Sequence, residues 1–235
     1  MTASARLAVL ALADARFPGG GHVHSGGLEE ATNRQLVTTS GDLREFLLGR
    51  LRGAGELAAA FAAAAARAAS GGVHRECWLR LETELDARTP SRAQRDASRA
   101  QGRGTARAGK VSWPSSSLDE LLAVTTSSGP HHPVVLGALL GGSGNGTARD
   151  AAAVAAYLSL SGAASAAVRL LGLDPFAANA AVTDLGGELD DVADRAAAAA
   201  ARDPSELPAP CAPALDVLAE AHQRHHQEEV RLFAS

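Results

Sequence analysis

A chain of 235 residues with 46% hydrophobic content can bury a sizeable core without a metal or a disulfide framework, and a single domain over 1–235 is expected. Only 3% of the residues are aromatic while alanine is abundant, which favours closely approaching helices over a sandwich of branched side chains; the expected class is all-α, a single-domain multi-helix bundle. The formal charge of −4 excludes a global basic field for nucleic acid or an anionic membrane, and Cys77 and Cys211 lie outside any Cys-x-x-Cys spacing, as suits thiols of a reducing compartment.

Arg6, LAVLALA and Ala13-Asp14-Ala15 imitate a secretory signal, yet Leu7, Val9, Leu10 and Asp14 also fit an amphipathic first helix, and the cytoplasmic reading is favoured. FPGGGHVHSGGLEEA follows, a loop rich in glycine and histidine that leads into a helix start; residues 1–30 thus form an N-terminal helix and glycine-rich loop. Ser40 is the expected N-cap of a helix carrying Leu43, Phe46, Leu47 and Leu51, which Gly53 and Gly55 should interrupt. An alanine helix, GELAAAFAAAAARAAS, ends at Ser70-Gly71-Gly72, and the next helix has Trp78, Leu81 and Leu85 as its stripe and Pro90 as its stop. From Ser91 to Lys110, Arg92, Arg95, Arg99, Arg103 and Arg107 recur every three or four residues as one cationic stripe, either a solvated face or a docking surface for an acidic partner.

The serine- and proline-rich stretch Ser112 to Pro133 brackets a short Leu118 to Val124 helix and suggests a central connection with a mobile part. GGSGNGT fails the dinucleotide pattern because Thr147 stands where a third glycine is required; Thr147 and Asp150 fit a capping box instead. The helix Ala148 to Leu171 contains eighteen uncharged residues from Ala151 to Val168, but its alanine, serine and glycine content fits a buried soluble helix better than a membrane span. Its small residues would let a second helix approach closely, and GLDP ends it. One further helix is expected through VTDLGGELDDVADRAAAAAAR, then a rigid connection of four prolines, then a last helix that dissolves into a tail, 222–235, carrying Leu232 and Phe233.

His24 and Ser25 could pair as base and nucleophile, but G-x-S-x-G is absent and no acidic partner is placed, so no catalytic residue is assigned. His222, His225 and His226 can share a helix face, which suits either adventitious metal affinity or a direct metallochaperone. The phosphate-cradle motif G-x-x-x-x-G-K-[ST] is missing, so nucleotide hydrolysis is not expected.

Together these pieces resemble the UreF family of urease accessory proteins. Its opening pattern, an acidic residue, F-P-x-G-G and H-S-x-G-L-E, is matched at Asp14, Phe17, Pro18, Gly20, His24, Ser25, Gly27, Leu28 and Glu29. R-x-x-S-x-x-x-G is matched at Arg95, Ser98 and Gly102, H-P-V-V-x-G from His132 to Gly137, then Tyr157 and Arg169, and finally R-L-F-x-S at Arg231, Leu232, Phe233 and Ser235. Ala93, and LLGLDP after Arg169, depart from the family's usual acidic residue and P-L-G-Q. The resemblance implies a non-catalytic homodimer that bridges UreD (UreH) and the GTPase UreG to deliver nickel to apo-urease, with no resident cofactor. It also assigns partner binding to Arg95, Ser98, Arg99, Gly102, Tyr157, Arg169 and the terminal motif, and leaves the Phe17 to Glu29 loop a folding and docking role.

Overall fold

All regular structure among the described residues is helical. The computed structural model describes residues 3–14, 16–20, 24–72, 75–144 and 146–233, with side chains described only between 6 and 225. In chain order the helices are α1 (Ala3–Ala13), α2 (Leu28–Asn33), α3 (Ser40–Arg50), α4 (Glu56–Ser70), α5 (Arg75–Ala87), α6 (Arg92–Ser112), α7 (Ser116–Val124), α8 (His132–Gly142), α9 (Ala148–Leu171), α10 (Pro175–Thr183), α11 (Gly186–Ala199) and α12 (Pro213–Phe233).

The centre is α4. Every residue from Ala59 to Ala66 is buried, and a helix apolar on all sides must sit inside the bundle. Phe61, Ala62, Ala65 and Ala66 join Trp78, Leu81, Leu118, Leu136 and Leu139 in one half of the core. Ala59, Ala60 and Ala63 join Leu28, Leu43, Leu47, Leu160 and Val192 in the other. Closest approach is to α8: a Cβ on Gly137 would stand 2.3 Å from the Ala62 carbonyl oxygen, and one on Gly141 2.0 Å from that of Ala66. The small-residue contact expected on α9 is thus made chiefly by α4 and α8, whose glycines admit backbone against backbone.

Gly53 and Gly55 do not interrupt the α3 helix. The chain passes from α3 to α4 through a π-helical segment, Leu51–Gly55, so winding continues from Ser40 to Ser70. Both glycines serve close contacts instead: added Cβ atoms would meet Ala212 Cβ and Ser159 Oγ at 2.7 Å. The N-cap of α3 is Thr39 rather than Ser40, with a capping box closed by Asp42.

The capping box at Thr147 and Asp150 is present, and α9 has the expected bounds with Gly172 left-handed at its C-cap. By length and composition α9 could cross a membrane, yet Ala151, Val154, Leu160 and Ala167 are buried within the bundle. The single helix expected over 182–202 starts within α10 and runs through α11, the two turned about buried Leu185 so that α10 packs on α3 and α9 while α11 packs on α4 and α9.

Parts of the connection expected to be partly mobile are packed, while Thr126, Ser127 and Ser128 are exposed. Ser117, Leu118 and Leu121 are buried, the Ser117 hydroxyl donates to the Ala69 carbonyl, and Gly129, Pro130 and His131 lie buried beside α6. On α1, Ala8 and Leu12 face the core, whereas Leu7 and Leu10, expected on its inner stripe, are 67% and 68% exposed. The last helix runs on to Phe233 rather than dissolving after His222. It is seated by buried Leu215 and Leu218, and by Asp216 and Glu220, which accept hydrogen bonds from Ser91 and Ala93 at the positive N-terminal end of α6.

Candidate functional site

The cationic stripe of α6 turns inward at its centre. Arg99 is 12% exposed and donates through Nη1 to Glu82 at 3.1 Å, to the Ser128 hydroxyl at 3.1 Å and to the Gly129 carbonyl, and through Nη2 to Asp86 at 2.6 Å. Arg95 donates to the carbonyls of Thr89 and Pro90, and Arg103 to that of Ser128. Arg99 therefore corrects the expected docking surface: its guanidinium fastens α5 and the 128–131 loop to α6, and the exposed cations of the stripe are residues such as Arg92 and Arg107. Ser98 and Gly102 likewise face inward. A Cβ on Gly102 would lie 2.0 Å from the Pro130 carbonyl oxygen, and the Ser98 oxygen stands 3.0 Å from His131 Nδ1 and accepts from the His132 amide at 3.3 Å.

His131 completes this network. Its Nε2 is 2.9 Å from Asp86, and its amide donates to both Glu82 oxygens, at 2.9 and 3.2 Å. Burial, reinforced by the Arg99 charge, pushes the imidazole down to about 4 despite the Asp86 hydrogen bond, so the ring is neutral. A neutral ring donating from Nε2 to Asp86 and accepting at Nδ1 from the Ser98 hydroxyl satisfies every partner. Burial raises Glu82 to about 7 against the opposing His131 amide and Arg99. Burial also works on Asp86, but the His131 and Arg99 contacts outweigh it and hold that carboxyl below its ordinary range.

The Phe17 to Glu29 loop crosses α6, α9 and α12. Phe17 stacks on Trp113 with ring centroids 6.1 Å apart, and Pro18 lies outside at the turn. Gly20, Gly26 and Gly27 have φ of 78°, 65° and 93°, a left-handed conformation that favours glycine. Gly27 is the N-cap of α2, Leu28 is fully buried, and the Glu29 amide donates at 3.4 Å to Ser25 Oγ, so the serine supports a helix start. Glu30, missed by sequence reasoning, is 1% exposed; burial disfavours its charge, but Arg34 at 2.7 Å and His225 at 3.1 Å more than offset this and lower its pKa. His222 stands 3.8 Å from Glu29, and His226 lies outside the described side chains. Among the described residues no group of three or more His, Cys, Asp or Glu is arranged to hold a metal.

Two adjoining cavities lie beneath this loop. The larger, about 480 Å³, extends under α12 and α6 to Ser98, His131 and His222; the smaller, about 120 Å³, reaches Thr105, Ser161 and Arg169. His24, Arg50, Gln101 and His132 line both. Arg50, also missed by sequence reasoning, donates through Nε to the Ser159 carbonyl at 2.7 Å and through Nη1 to that of Gly26 at 2.6 Å. A loop glycine facing a helix arginine 24 residues on carries no local signal, because the contact exists only once the loop folds back. Burial alone lowers Arg50 to about 10, and burial with the nearby His24 lowers His132 to about 4.

Of the remaining positions expected to meet partners, Tyr157 is 38% exposed on α9 and Arg169 is exposed at its C-terminal end. The side chains of Arg231, Leu232 and Phe233, and all of Ser235, lie outside the described residues.

Comparison with known proteins fits this arrangement. The UreF family model matches residues 37–186. The chain is 44% identical over 229 residues to the urease accessory protein UreF of Mycobacterium sp. (strain JLS), with 97% of each chain covered. It is 42% identical over 228 residues to that of Mycolicibacterium vanbaalenii, and 40% over 229 residues to that of Mycobacterium tuberculosis (strain ATCC 25177 / H37Ra), again with 97% of each chain covered. A family model spanning more than half of the chain, and relatives aligned along almost its whole length, establish that the chain belongs to the UreF family.

Proposed function

We propose that this chain is a non-catalytic scaffold of urease maturation. It acts as a cytoplasmic homodimer that bridges UreD (UreH) and the GTPase UreG while nickel is inserted into apo-urease, nickel and GTP being handled by the complex rather than held as resident cofactors. The observation that carries this reading is the near end-to-end match to proteins named urease accessory protein UreF. The surface offers apolar side chains for contact: Leu7, Leu10, Leu36, Val111, Phe176 and Val217 are all more than half exposed. The polar loop supports it too, since Ser25 serves a helix start and His225 a buried glutamate.

Tyr157, Arg169 and the terminal Arg231, Leu232, Phe233 and Ser235 are assigned to partner contact, Leu232 and Phe233 entering a groove of the partner. The test is co-purification of the full chain with UreD and UreG from the same source, sized by light scattering. The expected result is a complex holding two copies of this chain, lost when residues 231–235 are deleted while helicity and self-association persist. A chain that binds neither protein yet retains stoichiometric nickel through His222, His225 and His226 would replace the scaffold by a metallochaperone.

A further inference from the structure

The smaller cavity has the makings of an anion site. Arg50 projects from α3 into its wall, and among the described residues no carboxylate lies within ion-pair distance of the guanidinium. Its two hydrogen bonds go to the carbonyls of Ser159 and Gly26, which accept N–H groups but neutralise no charge; Nη2, with two donors, has no acceptor among the described residues. A half-buried guanidinium with no carboxylate beside it favours an anion that can meet its free edge. The same wall holds Thr105, 1% exposed, whose hydroxyl has no hydrogen-bond partner. Gln101, Ser161, His24 and His132 add further groups able to donate. Among the described residues one carboxylate lines the cavity, Asp14, and it is paired with Arg16 at 2.6 Å.

We infer that this cavity binds a small oxyanion, with Arg50 as the anchoring cation and the Thr105 hydroxyl as a second donor. The guanidinium edge matches two anion oxygens at once, which a single point charge would not. The volume, about 120 Å³, suits an inorganic oxyanion or a one- or two-carbon carboxylate. Such an anion would join α3, α6 and the glycine loop, the three elements that supply Arg50, Thr105 and Gly26. Nothing in this inference depends on the maturation role; it concerns what the isolated chain binds.

The experiment is isothermal titration of the full chain with inorganic phosphate, sulfate, bicarbonate and acetate, each at ionic strength held constant with potassium chloride. Saturable binding of one anion per chain is expected for at least one of them, and a preference for the first pair or the second distinguishes a tetrahedral from a planar ligand. Thr105→Val removes a hydroxyl that has no hydrogen-bond partner and keeps the side-chain shape, so it should leave thermal stability little changed while weakening the anion about fivefold, the loss of one hydrogen bond. Arg50→Met should abolish binding; should that variant fail to fold by circular dichroism, the Thr105→Val comparison decides alone. Binding no stronger than with chloride, or equal affinity in wild type and Thr105→Val, overturns the inference.

Discussion

Arg99 is held by two carboxylates, a serine hydroxyl and a carbonyl, so removing it strands the buried Glu82 and takes a cation from the partly exposed Asp86. Arg99→Met is expected to lower stability by about 3–5 kcal/mol in urea unfolding, whereas Arg92→Glu and Arg107→Glu on the exposed flank should stay within about 0.5 kcal/mol. Equal effects would mean that the network carries no stability. The pH dependence follows from the same side chains. His131 and His132 are depressed from 6.5 to about 4, so the unfolded state protonates first and their contribution, complete above pH 6.5, is lost as pH falls toward 4. Glu82 is raised from 4.5 to about 7, so its contribution is complete below pH 4.5 and is lost as pH rises toward 7. Between these limits two protons favour the unfolded state and one the folded state, and stability should rise by about 1.4 kcal/mol per unit between pH 5 and 6. Glu82→Gln removes the opposing proton and should roughly double that slope; an unchanged slope would show that Glu82 is ionised in the fold.

The helices separate what was written locally from what was not. The bounds of α9, its Thr147–Asp150 box and its Gly172 stop are legible because each depends on residues within one turn. Trp78, Leu81 and Leu85 are likewise buried as their spacing requires. The inward α6 arginines were not legible as such, because their partners lie on α5 and in the 128–131 loop. A usable signal existed: Glu82 and Asp86 are four apart, as are Arg95 and Arg99, two complementary stripes joined at Pro90. The π-segment was missed because glycine reads as a breaker, and only contact with Ala212 and Ser159 explains why the winding continues. At this scale the glycines give a paired expectation. Gly141→Ala and Gly137→Ala should each lower the thermal midpoint strongly, by about 2–4 kcal/mol of stability, since backbone cannot yield. Gly49→Ala, in α3 with nothing within 4 Å, should raise stability by about 0.5–1 kcal/mol; a loss there, or neutrality at Gly141, would contradict the α4–α8 packing.

Across the whole molecule, an alanine-centred bundle buries its polar network and keeps large apolar side chains such as Phe176 and Val111, each 85% exposed, on its surface. The candidate site was legible in part: the glycine loop stood out in sequence, whereas Arg50 and the cavity beneath it arise only when α3, α6 and α9 converge. The most direct measurement is urease activity in a host producing apo-urease, UreD and UreG with nickel, with and without this chain. Activity that rises only when the full chain is supplied, and only when UreD and UreG are both present, is the expected result. Equal activation without the chain, or activation by the chain with neither UreD nor UreG, would contradict the scaffold account.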